Sequence, residues 1–177
     1  SDLEDRVEHL VEPDGTFSQY STSYHRLVSD TLSLVEVWRR HLGLRPFPGR
    51  YLRRAGAAAA WLRAMVDPTT GRAPNLGAND GANLLPLTDA EVTDFRPAVA
   101  LATALFEQRS AYPGSGPWDA HLAWLGVALP SQAADPTPTT FDDGGFALLT
   151  AGRARALLRY PRFRFRPGHA EIGRAHV

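Results

Sequence analysis

Tyr24 and His25 stand side by side where a polar run, Asp14-Gly15-Thr16-Phe17-Ser18-Gln19-Tyr20-Ser21-Thr22-Ser23, leads into a long amphipathic segment. Phenol and imidazole are both proton-transfer groups, so the pair raises the question of acid–base chemistry. A helix start reached from a polar loop is a place where a phenol can face a groove instead of a core. The competing reading is a helix-start tyrosine packed on the stripe it shares with Val28. His25 either orients Tyr24 and contacts a ligand, or is an ordinary polar helix position.

Other clusters carry weaker chemistry. Asn75, Asn79 and Asn83 lie four apart, but Gly77 and Gly81 argue against a helix, and Asn79-Asp80-Gly81 is a turn signal first. Asp142-Asp143 are adjacent carboxylates with no set separation, and a turn suits them better than paired acid–base work. Arg153, Arg155, Arg159, Arg162, Arg164 and Arg166 follow one another with no acid between. They form either a solvated face or a basic wall whose guanidinium forks pair carboxylates. His9, His41 and His121 have no ligand spacing and read as surface residues; no metal site is expected. Trp38, Trp61, Trp118 and Trp124 read mostly as core, with Trp118 as the candidate stacking platform.

The elements that must position these groups follow from periodicity and punctuation. Asp2 to Val11 reads as the last turns of a helix, ended by Pro13-Asp14-Gly15. Tyr24 to Leu42 is the strongest helix, with Tyr24, Val28, Thr31, Val35, Trp38 and Leu42 on one stripe that Leu27, Leu32 and Leu34 widen. Ser21, Thr22 or Ser23 caps it, Gly43 ends it, and Pro46 and Pro48 prevent re-entry. Tyr51 to Val66 is a second helix whose alanine run permits close approach. Residues 67–87 form a long Gly/Asn/Pro loop of the kind compact domains keep for a purpose. Asp94 to Gln108 is a third helix, capped by Asp94, with Pro97 in its first turn, and Trp118 to Val127 a shorter one. After an extended linker over 129–140 the period changes to two: Phe146–Thr150 and Arg155–Tyr160 read as strands, and Phe163 and Phe165 alternate with arginines.

Composition sets outer bounds. The 177 residues suit one domain better than two, and 44% hydrophobic content is enough for a core. Net charge is zero, which argues against a general nucleic-acid or membrane-surface binder. All 19 basic residues are arginine, in keeping with a GC-rich genome. The lack of cysteine removes disulfides, thiolate catalysis and Cys-ligated zinc. No run reaches the roughly 18 apolar residues of a membrane span. The last seven residues, Glu171 to Val177, match a common sequencing adapter read in frame. The native sequence is therefore expected to stop at Ala170.

Five stretches, taken in order, carry a resemblance. They are Asp14-Gly15-Thr16-Phe17 with Gln19, Ser21, Tyr24 and His25; Pro74-Asn75-Leu76-Gly77-Ala78-Asn79-Asp80-Gly81-Ala82; Asp94-Phe95-Arg96; Phe141-Asp142-Asp143-Gly144-Gly145-Phe146; and Arg166-Pro167-Gly168-His169-Ala170. From Asp14 to Ala170 the chain resembles the heparinase II/III-like polysaccharide lyases. The resemblance implies a multidomain α-then-β protein. Residues 1–128 would be the C-terminal part of an (α/α) toroid of helical hairpins, 129–140 a linker, and 141–170 the start of an antiparallel β-sandwich.

It also implies eliminative cleavage of a uronic-acid-containing, acidic polysaccharide, in the periplasm or outside the cell. That chemistry needs a neutralised uronate, a base for the C5 proton and an acid for the leaving glycosidic oxygen. The resemblance gives Tyr24 the acid/base role and His169 an assisting one. It places the carboxylate-neutralising Asn before Ser1, so that residues 1–177 alone are expected to be inactive. His25, Gln19, Asn79, Arg96, Arg164 and Arg166 are its substrate-binding candidates. No cofactor is implied beyond a structural divalent metal in the remainder of the sandwich, and no nucleic-acid partner or membrane insertion. Many members carry two histidines two residues apart, whereas here Pro167 precedes a single His169. That departure favours the alternative, a non-catalytic or biosynthesis-associated relative that binds a capsule-type polysaccharide.

Overall fold

The computed structural model describes residues 2–152 and 154–160. Helices lead and strands follow: α1 (Asp2–Leu10), α2 (Thr22–His41), α3 (Gly49–Met65), α4 (Arg96–Phe106) and α5 (Ala120–Trp124), then β1 (Thr140–Phe141), β2 (Phe146–Ala151) and β3 (Ala154–Arg159). A 3₁₀ turn over Pro117–Asp119 runs into α5, so the last helix is shorter than the sequence suggests. The strands form one antiparallel sheet in the order β1-β2-β3. Phe141 pairs with Phe146 across the first turn, and Ala151 with Ala154 across the second.

Local chemistry accounts for the helix starts. Ser21 is extended, and its hydroxyl accepts the amide of Tyr24 at 3.1 Å, which satisfies one orphan donor of α2. The Asp94 carboxylate accepts the amide of Arg96 at 2.9 Å, and Pro97 stands in the first turn of α4. Helix α3 packs against α1, α2 and α4, with Ala55, Ala58, Ala59 and Ala64 buried along it. The loop from α1 crosses so close that a Cβ on Gly15, at φ +92°, would lie 2.0 Å from the Ala57 carbonyl oxygen. No side chain fits there.

Helical and strand segments share one core. Phe141 and Phe146 are buried edge-on to Trp61, with ring centroids 6.2 and 5.6 Å apart. Tyr20, Leu62, Met65, Val99 and Leu122 complete that cluster. Asp14 ties the ends together: its carboxylate accepts the amide of Thr16 at 2.9 Å and that of Gly144 at 3.0 Å, 130 residues away. Opposite carboxylate oxygens of one residue thus hold the first loop and the β1–β2 turn. In that turn Asp142 accepts the Tyr160 hydroxyl, which is the turn role its adjacency to Asp143 suggests.

Helix α2 buries Leu32 together with Ser23, His25, Arg26, Ser29, Asp30, Ser33 and Glu36. Of its apolar stripe, Tyr24, Val28 and Val35 are half-buried, while Thr31, Trp38 and Leu42 are exposed. The structure corrects two expectations about burial. His121 is buried, not at the surface, and the Leu85 and Pro97 carbonyls face it. Of the tryptophans only Trp61 is fully in the core: Trp118 is partly buried, and Trp38 and Trp124 are exposed. Among the described residues no helix is long and apolar enough to cross a membrane.

Candidate functional site

The start of α2 is wrapped by the long loop that follows α3. Three successive residues are tied to it. The Ser21 hydroxyl donates to the Ala78 carbonyl at 2.6 Å, the Thr22 hydroxyl to the Pro74 carbonyl at 2.7 Å, and the Ser23 hydroxyl to the Asn79 side chain at 3.0 Å. The Thr22 amide adds a bond to the Leu76 carbonyl at 3.2 Å. Such close wrapping needs Gly77: at φ +68°, a Cβ there would stand 2.5 Å from the Tyr20 carbonyl oxygen. Tyr20 itself holds a left-handed φ of 52° while buried against Phe146. A non-glycine residue pays roughly 1–2 kcal/mol for that conformation, so packing holds a strained corner immediately before the site.

Tyr24 emerges from this junction. Its hydroxyl donates to the Asp80 carboxylate at 2.9 Å. The phenol is raised above its usual pKa, first by that hydrogen bond and then by the Asp80 charge, so it stays protonated at neutral pH. Asp80 is lowered by the same bond and by the Ala82 amide, which its other oxygen accepts at 3.0 Å. Asn79 does double duty as turn and tie: its carbonyl accepts the Gly81 amide at 3.1 Å, and its amide donates to Asn75 at 3.0 Å. Gln19 lies half-buried on the loop that enters α2. The result is a polar patch of exposed Asp80, Asn79 and Asn75 beside a half-buried Tyr24, whose ring packs with Val28 against the cluster of Val7, Phe17 and Tyr51.

His25 is not part of that patch. It is 1% exposed, stacked on Trp61 with centroids 4.3 Å apart, and its Nε2 lies 2.8 Å from the Ala58 carbonyl. Burial lowers its pKa to about 4, against the opposing pull of the Ala58 carbonyl and Asp14. It is therefore a neutral core residue with no face for a ligand. Consecutive helix residues point about 100° apart, so Tyr24 and His25 cannot share one surface.

Arg96 is likewise committed to the protein. Its Nε lies 3.0 Å from one Asp94 oxygen and its Nη2 2.7 Å from the other, while Nη1 donates to the carbonyls of Pro68 and Thr69. Its guanidinium also lies 5.0 Å from the Trp118 ring. It brackets the start of α4 to the turn after α3, and its fork has no donor pair left for a substrate. His169, Arg164 and Arg166 lie outside the described residues.

Sequence reasoning missed Asp80 as the partner of Tyr24, because the two are 56 positions apart and only the wrapped loop brings them together. The readable sign was the density of Asn, Asp and Gly in that loop. Among the described residues no group of three His, Asp or Glu side chains is placed to hold a metal ion. Comparison with protein-family models, with curated proteins and with solved structures finds no match for this chain.

Proposed function

We propose that this chain belongs to a heparinase II/III-like polysaccharide lyase, which cleaves a uronic-acid-containing polysaccharide by β-elimination in the periplasm or outside the cell. In this reading the helices are the last hairpins of an (α/α) toroid and β1–β3 the opening strands of a β-sandwich. The order of five helices followed by an antiparallel sheet supports it. The observation that carries the chemistry is the exposed Tyr24–Asp80 hydrogen bond at a braced helix start. A phenol that donates to an ionised carboxylate keeps its proton. The phenol proton is thus present for the leaving glycosidic oxygen, but it is held on Asp80. In this reading Tyr24 acts as the acid once the substrate oxygen replaces Asp80 as acceptor, and it is a weak candidate for the base. His169 is the second proton-transfer group in this reading.

A second reading has its own support. Neither His25 nor Arg96 offers a charge to Tyr24, and Asp80 puts a negative charge where an anionic ring would approach. A non-catalytic relative that binds a capsule or exopolysaccharide meets those facts without needing elimination.

The test is Tyr24→Phe in the full-length protein, followed by the ultraviolet absorbance of the unsaturated product. Loss of one acid–base group should slow turnover by about 10²–10⁴-fold with thermal unfolding unchanged. Undiminished turnover would remove Tyr24 from the mechanism. A parent protein that binds uronate polymers without any absorbance rise would select the second reading.

A further inference from the structure

The Tyr24 patch draws on residues 75–80 of the long loop. At residues 67–74 of the same loop, a cavity of about 240 Å³ opens between the end of α3, the 67–74 turn and the β2–β3 ribbon. Met65, Leu148 and Leu157 supply its apolar surface, and Asp67, Thr70, Arg72 and Arg155 its polar rim. The volume lies below the roughly 300–1,000 Å³ of drug-sized sites, so it suits a single ring and not a buried chain. An apolar floor under a rim of forks and a hydroxyl is the composition that takes a sugar: ring carbons below, hydroxyls and acid at the edge.

The two guanidiniums differ in how they are held. The Arg155 Nη2 donates to the Ala64 carbonyl at 2.6 Å, at the end of α3 where unpaired carbonyls attract a cation. Arg155 also lines the cavity. Arg72 is exposed beside the cavity.

Among the described residues Asp67 is the one acid that lines the rim. One of its oxygens accepts the Thr69 amide, the Thr70 amide and the Thr70 hydroxyl at 2.8–3.0 Å. These bonds, the Thr70 amide first, and the Arg155 charge lower its pKa. The rim therefore carries two fixed positive charges and one negative. That balance favours a monoanionic ring, with Asp67 as an acceptor for a ring hydroxyl.

We propose that this cavity is a binding subsite for the carboxylate of an acidic sugar, with Arg72 and Arg155 as the paired walls that hold it. The sugar class rests on the function proposed above; the cavity and its charges do not.

The test is an amide NMR titration of the 177-residue chain with an oligogalacturonate, run beside a neutral malto-oligosaccharide of equal length. Saturable shifts are expected at Thr70, Arg72, Leu148, Ala156 and Leu157 with the acidic ligand only, weakening as salt is raised. Arg72→Ala, whose exposed side chain leaves the fold alone, should weaken binding by about tenfold, the worth of one charged hydrogen bond. Arg155→Lys should keep the charge but lose the fork, and weaken it by less. Equal binding of the neutral ligand, or full affinity in Arg72→Ala, overturns the subsite. Shifts confined to residues 75–82 also overturn it, yet leave the acidic-sugar function standing. No saturable binding of either ligand counts against both.

Discussion

Helices α2 and α4 lie against each other, yet they solve burial in opposite ways. In α4 every residue from Pro97 to Leu105 is buried, and all but Thr103 are apolar. Its partners surround it, so its sequence needs no polar face. In α2 the inward polar stripe is His25, Arg26, Ser29, Asp30, Ser33 and Glu36. His25 and Arg26 bond to carbonyls outside the helix and Glu36 to arginines within it. The side-chain oxygens of Ser29, Asp30 and Ser33 are buried without a hydrogen-bond partner among the described residues. Arg26 donates to the carbonyls of Val92 and Ala82 at 2.5 and 2.7 Å, with its guanidinium 4.4 Å from the Phe95 ring. Glu36 accepts from Arg39 and Arg40 at 2.7 Å each. Burial pushes the Glu36 carboxyl up, but the two guanidiniums outweigh it and hold it below its usual value. A helix packed by area tolerates many sequences. A helix packed by named hydrogen bonds fixes one register, and here that register aims Tyr24 at the loop.

The contrast is broken most directly by a cavity in the area-packed helix. Leu101 is fully buried between Leu85 and Leu105, where Leu34 and Val37 of α2 also reach. Leu101→Ala should cost about 2–5 kcal/mol, read as a lower urea midpoint with an unchanged slope. A loss well under 1 kcal/mol would mean that α4 is not enclosed in solution.

The polar face of α2 makes a sharper prediction, in its response to pH. Asp30 is pushed up to about 7 by burial, against the opposing charge of Arg26, from an ordinary value of 3.8. His25 is pushed down to about 4 from 6.5. Between about pH 4.5 and 6.5 the folded chain holds a proton on Asp30 that the unfolded chain has lost. Over the same window the unfolded chain holds a proton on His25 that the folded chain refuses. Asp30 thus lowers stability as pH rises from 3.8 toward 7, and His25 lowers it as pH falls from 6.5 toward 4, so the two slopes oppose. Asp30→Asn should therefore add about +1.4 kcal/mol per pH unit to the parent's slope across the window, and His25→Gln should subtract a like amount. An unaltered slope in Asp30→Asn would show that this carboxyl is reached by water.

The elements themselves were legible because periodicity, caps and breakers are local. Ser21, Gly43, Pro46, Pro97 and the switch to period two after the linker mark boundaries that the structure keeps to within a few residues. Which face of α2 turns inward was not legible. A 3.6-residue pattern shows that a helix has two faces, but the choice depends on carbonyls at Ala58, Ala82 and Val92 that lie far off in sequence. His25 illustrates the loss: its stacking partner, Trp61, is 36 positions away, and without it an imidazole beside a tyrosine reads as chemistry. Arg96 shows the same limit at short range: Asp94 stands two residues before it, and the first consequence of the Asp94-Phe95-Arg96 spacing is a closed ion pair.

The smallest expected effect bears hardest on the contrast. Trp38 belongs to the apolar stripe of α2, and by composition alone it should be among the most costly residues to remove. It is 59% exposed, and Leu42, one turn on, is 66% exposed. A large side chain that keeps most of its surface in water has little transfer energy to lose. Trp38→Ser in the 177-residue chain should therefore shift stability by no more than about 0.5 kcal/mol. Removing a buried aromatic would cost about 3–5 kcal/mol, so the two arrangements of α2 differ by far more than the error of a urea midpoint. A large loss at Trp38 would mean that the helix turns its apolar stripe inward after all. Tyr24 would then rotate with it, and the Tyr24–Asp80 bond could not form.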